Sequence, residues 1–186
     1  MPTGIANSFC KEGPRMAEVL PVLNLNLPLA REDIAKLNTG DKVLLSGELF
    51  TARDKAHARL CAMIAESESL PFDLAGICLF YCGPSPAPQG NICGAIGPTT
   101  SARMDAFTPL LLEHGLRCMI GKGDRSSVVC DAIRSHKAVY FAATGGISAL
   151  LSQSVVSCET FIWGELGTEA IYRLVVKDFP CYVHTI

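Results

Sequence analysis

The sequence predicts an α/β domain built on a mostly parallel central sheet. Short, nearly unbroken apolar runs alternate with amphipathic stretches through the middle of the chain, as they do when helices cover both faces of a sheet. "GICLFYCG", "LRCMIGKG" and "AVYFAATGG" are the clearest of these runs. Each ends in glycine, and the last two run on toward stretches with helical spacing. With 186 residues and 49% apolar content, the chain can bury one sizeable core.

In chain order, residues 1–22 read as a loose arm with scattered Gly and Pro, and residues 23–186 as a single domain. "REDIAKL" predicts a short helix from Arg31 to Leu37, stopped by Asn38 and Gly40. "KVLLSGELF" reads as a strand whose internal glycine marks a bulge or a close backbone approach. The next stretch places Ala56, Leu60, Met63 and Ile64 on one face of a helix entered at Arg53. "PSPAPQG" is a loop by composition, and "NICGAIGP" a further strand weakened by two glycines.

Helical pieces follow over residues 103–111, with Thr108 as N-cap and Pro109 at the first helical position. Asp124 is expected to cap a helix that turns Val128, Val129, Ala132 and Ile133 inward. A short helix from Ile147 to Leu151 and two β-rich segments, "VVSCETFIW" and "IYRLVVKDFPCYVH", close the chain.

Charge and cysteine usage exclude several classes. A net charge of −2 with no Lys/Arg-rich block argues against nucleic acid or an anionic membrane surface as a partner. No apolar run is long enough to span a bilayer, and Pro21, Asn24, Asn26 and Pro28 break up any signal core, so a cytoplasmic protein is expected. The nine cysteines contain no C-x-x-C pair, and the four histidines lack metal-ligand spacing. They read as buried free thiols, with Cys78 and Cys82 on one face of a strand.

Three loops carry the chemistry. Arg53-Asp54, Thr99-Thr100-Arg103 and Gly121-Lys122-Gly123 each follow a predicted strand and open toward a helix. Ligands of open α/β sheets collect at this end of the strands. An arginine fork holds a carboxylate by two hydrogen bonds, and two forks suit a ligand with two anionic ends. Thr99 and Thr100 either cap a helix or present hydroxyls to that ligand. Arg53 and Arg103 are alternatively surface partners of Asp54 and Asp105, and His57 alternatively a solvated helix residue.

Five segments, "SGELFTARDKAHARL", "GPTTSARMD", "GKGDRS", "TGGISALL" and "ELGTEAIYRLVVKDFP", resemble in sequence and order the β subunit, or C-terminal domain, of iron–sulfur-dependent class I fumarases and L-tartrate dehydratases. The likeness runs from about Leu25 to Tyr182. It implies a swivelling β/β/α domain that closes over a site shared with an α subunit, whose three cysteines hold a [4Fe–4S] cluster. The implied reaction is reversible loss of water from a C4 dicarboxylate, in a heterotetramer active only with the α chain. The resemblance makes Arg53 and Arg103 substrate-carboxylate ligands, Thr99 the base at C3 and Thr100 a hydrogen-bond partner of the substrate. Lys122 binds carboxylate or lowers the threonine's pKa, while Asp54, His57 and Asp105 support. "TARDKAH" and "RMD" lean toward fumarate over tartrate. A stand-alone anion- or nucleotide-binding module is the alternative of another class.

Overall fold

The computed structural model describes residues 21–144, 146 and 148–186. One of the nine cysteines, Cys10, lies outside these, as do Ile147 and almost all of the 1–22 arm. A seven-stranded sheet runs in the order β1-β2-β3-β4-β5-β7-β6. Its strands are β1 (Val22–Asn26), β2 (Lys42–Thr51), β3 (Cys78–Phe80), β4 (Cys118–Gly121), β5 (Val139–Ala142), β6 (Val155–Ile162) and β7 (Ile171–Thr185). The pairs from β1 to β5 are all parallel, as expected.

The two C-terminal strands correct the picture of an open sheet. β7 runs antiparallel to β5, β6 and β2, and its pairing with β2 closes the sheet into a small barrel. β7 is long enough, at 15 residues, to serve all three neighbours.

Side chains alternate across this wall. Cys78, Phe80 and Cys82 point into one apolar cluster with Leu45, Leu49, Ile120, Phe141, Leu174 and Phe179. Phe80 and Phe179 meet edge to face at 5.4 Å although their strands are not neighbours, which places this cluster inside the barrel. Leu79 and Tyr81 point the other way, against helices α2 (Asp54–Ala65), α3 (Thr108–Glu113) and α4 (Ser127–Ser135). β3 is therefore buried on both faces, as its unbroken apolar run predicts. The eight described cysteines are free, and five of them are buried. Among the described residues no helix is long and apolar enough to cross a membrane.

Local chemistry explains the remaining agreements and departures. Gly47 sits in a register irregularity of β2 at φ +123°, where a Cβ would lie 2.8 Å from the Leu27 carbonyl oxygen. It marks both a bulge and a close approach. The predicted strand at "NICGAIGP" does not form. That segment folds back on "PSPAPQG", with Ser85 N–H donating to Ala95 O and Gly94 packed against Ser85. Helix α1 (Arg31–Ile34) ends earlier than expected, and α5 (Ser148–Ser152) occupies the end of the chain's "GGISALLS" stretch.

Thr108 lies inside α3 after the Phe107 cap, and its hydroxyl donates to Met104 O at 2.8 Å. Ser126, not Asp124, caps α4 by accepting from Val129 N–H, while Asp124 pairs with His184 at 3.1 Å. Val129 and Ile133 face inward and Val128 is exposed.

Two buried polar groups sit in the layer beneath the sheet's C-terminal end. Arg125 donates to Asp105 at 2.7 Å, to the Thr108 hydroxyl at 2.6 Å and to the Tyr81 hydroxyl at 3.3 Å. Its guanidinium also lies 5.3 and 5.0 Å from the Tyr81 and Tyr140 rings. Asp105 spends its second oxygen on Ser126 N–H at 2.8 Å, so one ion pair ties the 99–105 loop to the start of α4.

His57 is buried, with its Nδ1 2.9 Å from Arg53 O and its ring edge-on to Tyr81. Burial pushes its pKa down to about 4, so the ring is neutral at pH 7. It is neither a solvated helix residue nor a surface group facing a partner.

Two outcomes follow from this layer. Arg125→Met leaves Asp105 half-buried and unpaired, and costs about 3 kcal/mol in urea unfolding of the chain. For His57 the folded-state pKa lies below the unfolded one, so the unfolded chain binds the proton first. The stabilisation is full above pH 6.5 and is lost as pH falls toward 4, amounting to about 3 kcal/mol. His57→Gln is expected to flatten the urea midpoint's pH dependence across that window; an unchanged slope would assign it to other groups.

Candidate active site

The predicted loops converge because their backbones form one ladder beyond the strand ends. Ala52 N–H donates to Phe80 O, and Tyr81 N–H to Ile120 O, so β2, β3 and β4 finish side by side. Past them, Thr99 N–H donates to Tyr81 O at 2.6 Å, Lys122 N–H to Thr99 O at 3.2 Å and Ser101 N–H to Lys122 O at 2.9 Å. Thr100 and Lys122 thereby form a parallel bridge. The "GPTT" segment thus adds a short strand-like rung beside "GKG", which places Thr99, Thr100 and Lys122 together.

The approach is tight enough to demand Gly121. A Cβ there would lie 1.9 Å from Ser101 Oγ. Ser101 is buried, accepts from Lys122 N–H at 2.9 Å and shares a 2.8 Å hydrogen bond with the Tyr140 hydroxyl. Tyr140 in turn donates to Gly123 O, so the lysine loop is held from both sides.

Arg103 joins this group to α2. Its Nε and Nη2 donate to the two oxygens of Asp54 at 3.1 and 2.7 Å, a bidentate pair at the helix start. Asp54 therefore orients Arg103 rather than Arg53, and only one edge of Arg103's fork remains for a ligand. Asp105 acts from below, through Arg125.

Arg53 occupies the N-cap position of α2 in extended backbone, but no side-chain hydrogen bond caps the helix there. Its guanidinium has one ionic neighbour, Glu169, at 3.6 Å, beyond hydrogen-bond range. Its Nε is buried without a partner among the described residues. Buried donors are nearly always paired, so an orphan of this kind marks a guanidinium held in reserve for an acceptor.

The threonines are not spent on capping. Thr100 heads the 3₁₀ turn Ser101–Met104 and its side chain makes no cap hydrogen bond. Lys122 is exposed at the rim. The site thus offers two guanidinium edges, an ammonium and two hydroxyls, which can bind two carboxylates and move a proton between them. A cleft of about 370 Å³ opens nearby, lined among others by Pro84, Cys93, Cys158, Glu159 and Tyr172. None of the candidate side chains lines it; Thr100, Arg103 and Lys122 are exposed, and Arg53 and Thr99 partly buried.

Sequence reasoning missed Ser101, Arg125, Tyr140 and Glu169 as parts of this assembly. Ser101 and Arg125 lie within quoted motifs but look like ordinary loop residues without knowledge of the ladder. Glu169 stands about 115 residues from Arg53, and its signal was the unused acid in "GTEAIY".

Comparison of the sequence with known proteins points to one family. The model described as "Fumarase C-terminus" matches residues 7–185. "Fumarate hydratase class I, anaerobic" of Escherichia coli is 37% identical over 166 residues, covering 87% of this chain and 30% of that protein. "Fumarate hydratase 2" of Leishmania major is 36% identical over 155 residues, covering 82% and 27%. "Putative L(+)-tartrate dehydratase subunit beta" of Methanocaldococcus jannaschii is 36% identical over 156 residues, covering 81% and 80%. The chain therefore spans about three-tenths of the fumarate hydratases it matches and about four-fifths of the β subunit. With the family model matching nearly its whole length, the chain belongs to the Fumarase C-terminus family.

Proposed function

We propose that this chain is the dicarboxylate-binding, proton-moving part of an iron–sulfur hydro-lyase that interconverts fumarate and L-malate. The carrying observation is Arg53, a largely buried guanidinium with an orphan Nε and no hydrogen bond to its ionic neighbour, beside two uncapped threonines and Lys122. One substrate carboxylate takes the Arg53 fork. The other takes the free edge of Arg103 together with Lys122.

Between them Thr99 faces C3. In dehydration its alkoxide takes the C3 proton and becomes the hydroxyl, while the C2–O bond breaks with its electron pair and hydroxide leaves. In hydration the hydroxyl returns that proton to C3 as hydroxide adds to C2. A threonine hydroxyl is a weak base, and the Lys122 ammonium beside it stabilises the alkoxide form. Thr100 hydrogen-bonds the substrate.

The [4Fe–4S] cluster of this reading does not fit the described residues of this chain. Cluster ligands must be thiolates, whereas burial pushes the Cys82 thiol up to about 12 and holds those of Cys78 and Cys181 well above the ordinary range. Among the described residues no group of three His, Cys, Asp or Glu side chains could hold a metal ion. The cluster is accordingly assigned to a partner α subunit, and the exposure of Thr100, Arg103 and Lys122 supports closure by a second polypeptide. The proposal extends to swivelling of the 23–186 domain over that partner, a heterotetramer and a cytoplasmic location.

L-Tartrate is the second substrate reading. It is favoured by 36% identity to a protein named a tartrate dehydratase β subunit, across four-fifths of its length. Both diacids present the same two carboxylates.

The isolated chain is expected to turn over neither malate nor tartrate, and anaerobic co-expression with a cluster-bearing α chain to restore activity on one of them. Turnover by this chain alone, or nucleotide binding without a partner, would refute the assignment. In the active complex Arg103→Ala lowers turnover at least about a hundredfold, the scale of losing a key transition-state contact. A fully active, assembled Arg103→Ala complex removes Arg103 from the site.

A further inference from the structure

We propose that Glu169 is a positioning residue for Arg53, holding its charge in place while leaving its donors free for substrate. The inference rests on the dicarboxylate reading above. Glu169 ends the 3₁₀ segment Gly164–Glu169, which runs alongside the first two turns of α2. Its Oε2 accepts from Lys55 N–H at 2.9 Å, and its Oε1 faces Arg53 Nη2 at 3.6 Å.

The same segment is anchored one helical turn further on. Glu165 accepts from Arg59 Nη1 at 2.6 Å, and Arg59 lies 4.6 Å over the Trp163 ring. Lys55 and Arg59 are four residues apart on one helix face, so the two carboxylates grip α2 as a pair.

Arg53 is also confined sterically. A Cβ on Gly83 would lie 2.5 Å from Thr168 O and about 3 Å from Arg53 Cδ and Nη1. The arginine shaft thus passes through a slot between Gly83 and the 164–169 segment. Within that slot Glu169 is the one carboxylate paired with Arg53 among the described residues. It lies close enough for charge attraction and too far to consume a hydrogen bond. A substrate carboxylate can take Nη donors that no atom of the described residues has used, with the guanidinium already placed.

The competing role is a plain helix cap through Lys55 N–H. Glu169→Gln separates the two, because its amide oxygen still accepts from Lys55 N–H while the charge facing Arg53 is gone. In the complex with the α chain, Glu169→Gln is expected to raise KM for the diacid about tenfold, the effect of one displaced charge-assisted contact, with kcat held within about twofold. In the full chain alone, labelled with ¹⁵N, the Arg53 Nε–H resonance, identified by its loss in Arg53→Lys, is expected to move in Glu169→Gln.

An unchanged KM with an unmoved resonance overturns the proposal, as does a parallel fall of kcat without a KM change. If Arg53→Lys raises KM and Glu169→Gln does not, only the role of Glu169 falls. If neither raises KM, the carboxylate-binding reading falls with it. If the complex turns over neither diacid, the functional reading fails and the Nε–H resonance alone decides whether Glu169 positions Arg53.

Discussion

The backbone bonds that Thr99 and Ser101 exchange with Lys122 are the constraint on which the candidate site depends. They let two loops separated in sequence behave as one rung of the sheet. Main-chain bonds carry no side-chain entropy, so the backbone positions from which the two hydroxyls and the ammonium project are fixed before any ligand arrives. The absence of a side chain at Gly121 lets Ser101 close over the lysine loop, and the Tyr140 hydroxyl completes the support from below. Every catalytic assignment made above inherits its geometry from this rung.

A second constraint is electrostatic. Cations gathered on one face of a chain with net charge −2 would repel one another, and the fold answers each arginine with its own acid. Asp54 takes Arg103, Asp105 takes Arg125 and Glu169 stands near Arg53. The three pairings differ in kind. Arg125 is saturated and structural, Arg103 is half spent, and Arg53 is neutralised without being hydrogen-bonded. Such grading separates charges that build the face from charges left to act on a ligand.

Much of this was legible in the residues. The unbroken apolar runs gave β3, β4 and β5 because both of their faces are covered, one by the barrel interior and one by helices. The glycine in "SGELF" announced the Gly47 irregularity, since close backbone approach leaves no other choice of residue. Position after a strand end sufficed to bring Arg53 and Lys122 to one edge, whereas Thr99 and Arg103 follow no strand and reach that edge through the bridge between Thr100 and Lys122. Three things were not legible. β1 has polar residues at alternate positions and two asparagines, so it lacks the apolar run of a buried strand, as its half-exposed pattern explains. The antiparallel return of β7 follows from pairings with β2 about 140 residues away, which no local pattern encodes. The pairing of Glu169 with Arg53 depends on that same long-range closure, and that of Asp54 with Arg103 on the bridge between Thr100 and Lys122.

The closure by β7 bears on how the chain comes to exist at all. β2 emerges from the ribosome well before its antiparallel neighbour, which begins only at Ile171, so the wall stays open until the chain has been made through β7. Contacts of such large sequence separation make for slow assembly, because the loop between them is ordered before the pairing rewards it. During that interval the Leu45, Leu49 and Phe80 side chains have no Phe179 or Leu174 to meet. A nascent chain that lacks β7 therefore has its barrel unsealed, with that apolar seam open to wrong contacts.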